Sequence, residues 1–129
     1  VMVQPYLDAV DDRGETALLY FDGRFSHAIR KGPLLLCEAE GNRVADLYLE
    51  EDISPRTPTE EELAVGDRVL AAIPGGLVPA YARVDLVPGP DGAPLLLELE
   101  LTEPSVFLAH AAGAADRLAA ALMRALGQG

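Results

Sequence analysis

Two segments in which polar and apolar residues alternate lie on either side of a turn in the second half of the chain. Residues 81–86 read YARVDL and residues 95–101 read LLLELEL, with the Gly- and Pro-containing stretch 89–92 between them. Alternating polar and apolar side chains are typical of a half-buried strand, and Gly and Pro are typical of the turn that joins two strands. The two segments therefore predict an antiparallel β-hairpin. Its apolar face, which we expect to point into the core, carries Leu97, Leu99 and Leu101.

The opposite face of this hairpin is charged. Side chains alternate along a strand, so Arg83 shares a face with Asp85, and Glu98 shares a face with Glu100. A two-residue turn at 91–92 places Asp85 opposite Glu98 and Arg83 opposite Glu100. Opposed carboxylates repel, which favours a bound cation, and hard oxygen ligands suit Mg²⁺. The alternative is a solvated face with an Arg83–Glu100 ion pair worth about 0–1 kcal/mol.

The rest of the chain predicts an α+β fold. Asp22-Gly23 between two apolar segments is a strong hairpin signal, and Thr57-Pro58 followed by Glu60 predicts a capped helix. The order of elements favours one domain with an antiparallel β-sheet and two main helices. The predicted strands are 1–6, 15–21, 24–31, 34–40, 44–49, 80–87 and 94–102; a polar turn is predicted at 8–14, and the helices at 57–73 and, after residue 105, from 106 to 126.

Composition and charge exclude several classes of partner. The chain has 129 residues and a formal net charge of −11, and this acidity disfavours nucleic acid and anionic membranes. The acidic residues either keep the protein soluble or, in part, cluster to hold a cation. No segment reaches the roughly 20 apolar residues of a membrane span, and the first residues lack the pattern of a signal peptide. A cytoplasmic location follows as an expectation.

In order and spacing, these segments resemble the ATP-grasp superfamily of carboxylate–amine ligases. The sequence is most similar to bacterial glutathione-synthetase-like members, which include the ligases that close the cycloserine ring. In that family an Arg-x-Asp strand precedes a Glu-x-Asn or Glu-x-Glu strand, and Asp85 and Glu98 have the family's spacing of 13 residues. The resemblance implies that Asp85, Glu98 and Glu100 bind Mg²⁺ (or Mn²⁺) and that Arg83 neutralises the transferred phosphate.

The resemblance also implies a nucleotide site. Residues 1–6, with Gln4 and Tyr6, resemble the hinge that meets the adenine of ATP, and Glu15 matches a glutamate that binds the ribose. Lys31 either reaches a phosphate or acceptor group or is simply solvated. The implied reaction joins small-molecule carboxylate and amine substrates through an acyl phosphate.

In the family, an amino-terminal domain and a lysine-bearing subdomain precede the hinge. The resemblance therefore implies that residues 1–129 are the carboxy-terminal half of an ATP-grasp fold, inactive alone. The alternative is a non-catalytic metal-binding or oligomerising remnant. Without the other half, strand residues such as Leu19 and Phe21 are expected to face a gap, which favours a homo-oligomer or the missing half as partner. His27 is either catalytic or, more ordinarily, packed.

Overall fold

The computed structural model describes residues 6–32 and 52–127. Within them, five strands form one antiparallel sheet in the order β3-β2-β1-β4-β5. The strands are β1 (Glu15–Phe21), β2 (Arg24–Lys31), β3 (Ile53–Arg56), β4 (Tyr81–Pro88) and β5 (Pro94–Glu100), and the α-helices are α1 (Ala9–Arg13), α2 (Glu60–Ala71) and α3 (Ala114–Ala125). The α+β prediction with two main helices is confirmed. The strands predicted at 34–40 and 44–49, and all but the last residue of 1–6, lie outside the described residues.

The β1–β2 hairpin turns at Asp22-Gly23, as predicted. Both residues have positive φ, 53° and 68°, as this kind of tight turn requires. The register then shifts, because Leu19 pairs with His27 whereas Tyr20 pairs with Phe25, which leaves Ser26 as an extra residue on β2. Such a β-bulge bends the strand locally and often redirects side chains beside a functional site.

The β4–β5 hairpin has the predicted pairing at its charged end but a different turn. Asp85 pairs with Glu98 and Arg83 with Glu100, whereas Pro88 pairs with Pro94 across a loop at residues 89–93. A bulge at Leu97 makes up the one-residue difference in register. Leu97 is 45% exposed, so its expected place in the core is wrong. Of the three leucines predicted to be buried there, Leu99 and Leu101 do pack against the core.

Helix α2 begins two residues later than predicted. Thr59 is the N-cap: its hydroxyl accepts from the Glu62 N–H, and the Glu62 carboxylate accepts from the Thr59 N–H. Thr57 with Glu60 and Thr59 with Glu62 both fit the capping-box pattern. The second pair prevails because Glu62 also accepts hydrogen bonds from the Thr16 hydroxyl and from Arg56.

One face of the sheet packs on α2. Its buried residues are Leu18, Tyr20, Ala28, Ala82, Val84 and Leu86, against which Val65, Val69 and Leu70 of α2 pack. A Cβ at Gly66 would clash with the Tyr20 hydroxyl and with Leu18, so a glycine is needed where α2 approaches the sheet. This arrangement fixes which strand residues point to the other side.

The opposite face, here called the site face, carries Ala17, Leu19 and Ile29, which are covered in part by Val106 and Phe107. Leu19 is fully buried and Phe21 is 3% exposed, so the expectation that they face a gap is wrong.

Two helix predictions need correction. Residues 9–13 form the short helix α1, ended by Gly14 with φ of 68°, instead of a polar turn. The closing helix begins at Ala114 instead of after residue 105, because Phe107 adopts a left-handed conformation and the preceding segment packs on the sheet. In the described parts of the chain, no helix has the length and apolar character needed to cross a membrane.

Candidate functional site

Two neighbouring rows of paired residues cross the site face. In the first row, Leu19 of β1 lies between His27 of β2 and Arg83 of β4, and Arg83 in turn pairs with Glu100 of β5. Paired residues in an antiparallel sheet point to the same face. The row therefore runs from a histidine through an apolar centre to an arginine and a glutamate.

The second row ends in two carboxylates. Ala17 of β1 lies between Ile29 and Asp85, and Asp85 pairs with Glu98. Directly paired residues have Cβ atoms about 4.5–5.5 Å apart. The predicted opposition of Asp85 and Glu98 is thus present, at the β4–β5 end of the site face.

Asp85 is the most buried charged residue of the site. Its side chain is 1% exposed, and it is held by two cations. The Lys31 ammonium donates to Asp85 Oδ2 at 2.7 Å, and Arg83 Nε donates to Oδ1 at 3.0 Å. A buried carboxylate without partners is strongly unfavourable, and these two contacts give Asp85 its cationic partners in the sheet.

Lys31 is the only lysine of the chain and links two acidic residues. Besides Asp85, its Nζ lies 3.4 Å from Glu15 Oε2, and its side chain is 12% exposed. Glu15 is therefore part of the same charged cluster. The structure brings Lys31, Arg83, Asp85, Glu15 and Glu100 together on one face.

The Arg83 guanidinium is fixed on several sides. Its Nη2 lies 3.0 Å from Asp85 Oδ2 and 2.9 Å from Glu100 Oε2, and the Phe107 ring stands over its central carbon at 6.0 Å. Arginine offers a planar fork of donors, and here both carboxylates bind along that fork while an aromatic ring covers a face. This geometry holds a permanent positive charge in one orientation.

The remaining candidate residues are Tyr6, Gln4 and Glu98. Tyr6 lies beside α1, where its hydroxyl donates to Asp11, and it lines a groove of about 330 Å³ with Pro88, Gly89 and Pro90. Gln4 lies outside the described residues. Glu98 is exposed beside Asp85.

Comparisons with known proteins identify the fold. No protein-family model matches the chain. It is 42% identical over 130 residues to the cycloserine biosynthesis protein DcsG of Streptomyces lavendulae, a match covering 98% of this chain and 42% of the relative. The crystal structure of D-cycloserine synthetase DcsG superposes with a TM-score of 0.80 at 39% identity, covering 95% of this chain and 41% of that one.

A more distant structure shares the architecture. The ATP-grasp ligase PsnB, complexed with a minimal precursor, Mg and ADP, matches with a TM-score of 0.55 at 19% identity, over 85% of this chain and 32% of that one. The chain belongs to the ATP-grasp superfamily. It spans about two fifths of the length of DcsG.

Compared with the ATP-grasp pattern, the chain has the carboxylates expected to bind a metal, but they are not arranged as a metal site. Asp85, Glu98 and Glu100 supply hard oxygen atoms from adjacent strands, which is the chemistry that Mg²⁺ prefers. In the part of the chain that the structure describes, however, no three His, Cys, Asp or Glu side chains converge closely enough to hold an ion. The Lys31 ammonium lies against Asp85 instead.

The groups around His27 are not predicted by the sequence. The His27 ring is 6% exposed, with Nε2 3.0 Å from the Val106 carbonyl oxygen and Nδ1 2.9 Å from Ser26 Oγ. Burial, together with the charges of Arg117 and His110, lowers its pKa below the ordinary value, although the bond to Val106 opposes this. The contact between His27 and Val106 joins residues 79 positions apart, so no local sequence pattern predicts it.

Proposed function

We propose that this chain supplies the phosphate- and cation-facing sheet of an ATP- and Mg²⁺-dependent carboxylate–amine ligase. The observation that carries the proposal is the buried Asp85, held between Lys31 and Arg83 and paired with Glu98, in a chain 42% identical to DcsG. A cluster of buried charges is costly to maintain for stability alone, which supports a functional role.

The reaction proceeds in two steps. First, a carboxylate oxygen attacks the γ-phosphorus of ATP, and ADP leaves, which gives an acyl phosphate. Second, the amine attacks the acyl carbon, inorganic phosphate leaves, and the amine loses a proton. In both steps negative charge is concentrated on phosphoryl oxygens, so catalysis depends mainly on positioning and on fixed positive charge.

Arg83 has the properties that this charge requires. Its guanidinium is a planar cation, and Asp85 and Glu100 hold it in one orientation before substrate arrives. A fixed donor needs no rearrangement as charge develops on the phosphoryl group. We assign Arg83 to the transferred phosphoryl and Lys31, which is less constrained than a guanidinium fork, to an exchangeable phosphate contact.

The metal ligands in this proposal are Asp85, Glu98 and Glu100. When bound, Mg²⁺ would neutralise charge on the phosphate oxygens of ATP. Asp85 becomes available to it when the Lys31 ammonium moves off Oδ2. Glu15 and Tyr6 remain the proposed contacts to the nucleoside, with Gln4 in the segment before them.

The test is ADP formation by the complete gene product in which this chain occurs. The assay contains ATP, Mg²⁺ and a mixture of small amino acids, and compares wild type with Arg83→Met and Glu98→Gln. The control is Glu61→Gln, an exposed position on α2, on the far side of the sheet. We expect Mg²⁺-dependent ADP formation that falls by at least about 100-fold in Arg83→Met and is unchanged in the control. Wild-type rates in Arg83→Met would contradict the proposal.

One observation favours a second candidate, an oligomerising module. Strand β5 is at the edge of the described sheet, and Leu95, Leu96 and Leu97 on it are 42–47% exposed. An exposed apolar edge strand readily pairs with another chain. This candidate does not require ATP, so the assay of ADP formation distinguishes it from the proposed ligase.

A further inference from the structure

His27 and Arg83 are connected across the site face without touching. Both pair with Leu19, one from each neighbouring strand. Two strand spacings, about 9–10 Å, separate their backbones. The segment of Val106 and Phe107 packs above Leu19 and contacts the histidine at one end and the arginine at the other.

A chain of hydrogen bonds determines which nitrogen of His27 carries the proton. The Val106 carbonyl oxygen can only accept, so His27 Nε2 must be the donor over their 3.0 Å separation. In the neutral ring Nδ1 is then an acceptor, and the Ser26 hydroxyl donates to it at 2.9 Å. The Ser26 oxygen in turn accepts from Arg117 Nε at 2.9 Å.

The ends of this chain are anchored in secondary structure. Ser26 is the bulged residue of β2, and Arg117 belongs to α3, where it also donates to the carbonyl oxygens of Ala112 and Ser26. The bulge is what allows Ser26 and the neighbouring His27 to serve the same network. Helix α3 is thereby tied to the strand that carries His27.

Phe107 adopts an unusual backbone conformation at the other end. Its φ of 47° and ψ of 42° are left-handed, which is uncommon for a bulky residue and is retained only where the surroundings enforce it. The bond from His27 holds the carbonyl immediately before Phe107, and the ring then lies over the Arg83 guanidinium. Strained residues of this kind cluster at functional sites.

We propose that His27 is a positioning residue, which sets the orientation of the Arg83 guanidinium through Val106 and Phe107. The inference rests on the proposed function for the role of Arg83, but the positioning itself is a claim about this chain alone. Asp85 and Glu100 hold the edge of the guanidinium, and the Phe107 ring covers one of its faces. A histidine that merely fills space would be replaceable by an apolar ring without effect on Arg83.

The test follows the Arg83 Nε–H signal in ¹H–¹⁵N spectra of this chain. The variants are His27→Phe, which keeps the ring but removes both nitrogens, His27→Gln, which keeps an N–H donor, and Phe107→Leu. We expect the Arg83 signal to lose its ring-current shift and to exchange with water at least about tenfold faster in His27→Phe and Phe107→Leu. His27→Gln is expected to restore most of the wild-type behaviour.

A second readout uses the complete gene product. His27→Phe and Phe107→Leu should lower kcat for ADP formation by about 10- to 100-fold with little change in KM for ATP, because misplacement affects the transition state more than binding. An unchanged Arg83 signal in a folded His27→Phe chain would overturn the proposal, whether or not ADP forms. If His27→Phe does not fold, His27→Met, which also removes both ring nitrogens, decides it in the same way. Absence of ADP formation in wild type would contradict the proposed function and leave the spectral result to decide the positioning.

Discussion

The Lys31 ammonium lies 2.7 Å from Asp85 Oδ2, in a pair whose side chains are 12% and 1% exposed. The lysine therefore stands where a cation bound to Asp85 would have to approach. Arg83 holds the same carboxylate through a planar fork, whereas Lys31 is a point charge on a flexible stem. Of the two cations, Lys31 is the one that a divalent ion can displace.

Lys31→Met should consequently strengthen the binding of Mn²⁺ to this chain. We expect the Kd to fall by about 3- to 10-fold, because one unit charge at about 4 Å in water contributes on the order of 1 kcal/mol. The control is Arg30→Gln, which removes a charge from the adjacent residue, whose guanidinium contacts the Arg13 carbonyl oxygen and Asp52. An equal effect of both variants, measured by EPR titration, would indicate a general field effect and contradict direct competition at Asp85.

Asp85→Asn should destabilise the chain even without metal. The substitution leaves two cations near a buried position that no longer carries a negative charge. We expect a loss of roughly 3 kcal/mol in the free energy of unfolding, the lower end of the range for breaking a buried pair, because Lys31 retains Glu15 and Arg83 retains Glu100. Glu98→Gln, at an exposed position, is the matched control and should stay within about 0.5 kcal/mol. Guanidinium chloride unfolding measures both; equal effects would refute the assignment of Asp85 as the buried partner.

Stability should rise with pH across two ranges. Burial lowers the pKa of His27 below 6.5. Burial would raise the pKa of Glu62, but its bonds from Thr59 and Thr16 and the charge of Arg56 lower it below 4.5. When the folded state has the lower pKa, the unfolded state binds more protons, so stability is present above the unfolded pKa and is lost as pH falls. The contribution of His27 to stability is therefore lost as the pH falls below about 6.5, and that of Glu62 is lost as the pH falls below about 4.5.

The variant His27→Gln isolates the first range. Its free energy of unfolding should depend less on pH between 5 and 7.5 than that of wild type, while the loss of stability below pH 4.5 remains. Chemical unfolding at a series of pH values is the measurement. An identical slope between pH 5 and 7.5 in both proteins would contradict a depressed His27 pKa.

The exposed leucines of β5 predict self-association of this chain. Contiguous apolar patches are uncommon on soluble monomers, and among the residues that the structure describes β5 is an edge strand, which favours pairing with another chain. Light scattering at several concentrations should show a dimer for wild type and a shift toward monomer for Leu97→Lys. Leu77→Lys, at another exposed apolar position, is the control. A wild-type chain that stays at 13.7 kDa up to millimolar concentration would contradict the prediction.

The sequence predicts the strands and their polar faces because alternation and turn residues are local signals. The pairing of Asp85 with Glu98 is predicted from a two-residue turn at 91–92, and the pairing is present although that turn is not. The assumed two-residue turn is a longer loop, and the bulge at Leu97 compensates for the difference. Likewise, two overlapping Thr-x-x-Glu patterns fit the start of α2, and only the tertiary contacts of Glu62 decide between them.

The contacts that complete the site are not local. Lys31 and Asp85 are 54 residues apart, and they meet because β1 lies between β2 and β4 in the sheet. The left-handed conformation of Phe107 has no propensity signal and is enforced by its packing and by the bond from His27 to Val106. Sequence patterns therefore identify the charged side chains of the site, whereas strand order determines their partners.

Whether this sheet faces a divalent cation is decided by titrating the chain with Mn²⁺ and following free Mn²⁺ by EPR. The compared proteins are wild type, Asp85→Asn, Glu98→Gln and the α2 control Glu61→Gln. We expect saturable binding in wild type and in the control, with affinity lost by at least about tenfold in the two site variants, since each removes a charged oxygen ligand. No saturable binding in wild type, or equal binding in all four proteins, would contradict it.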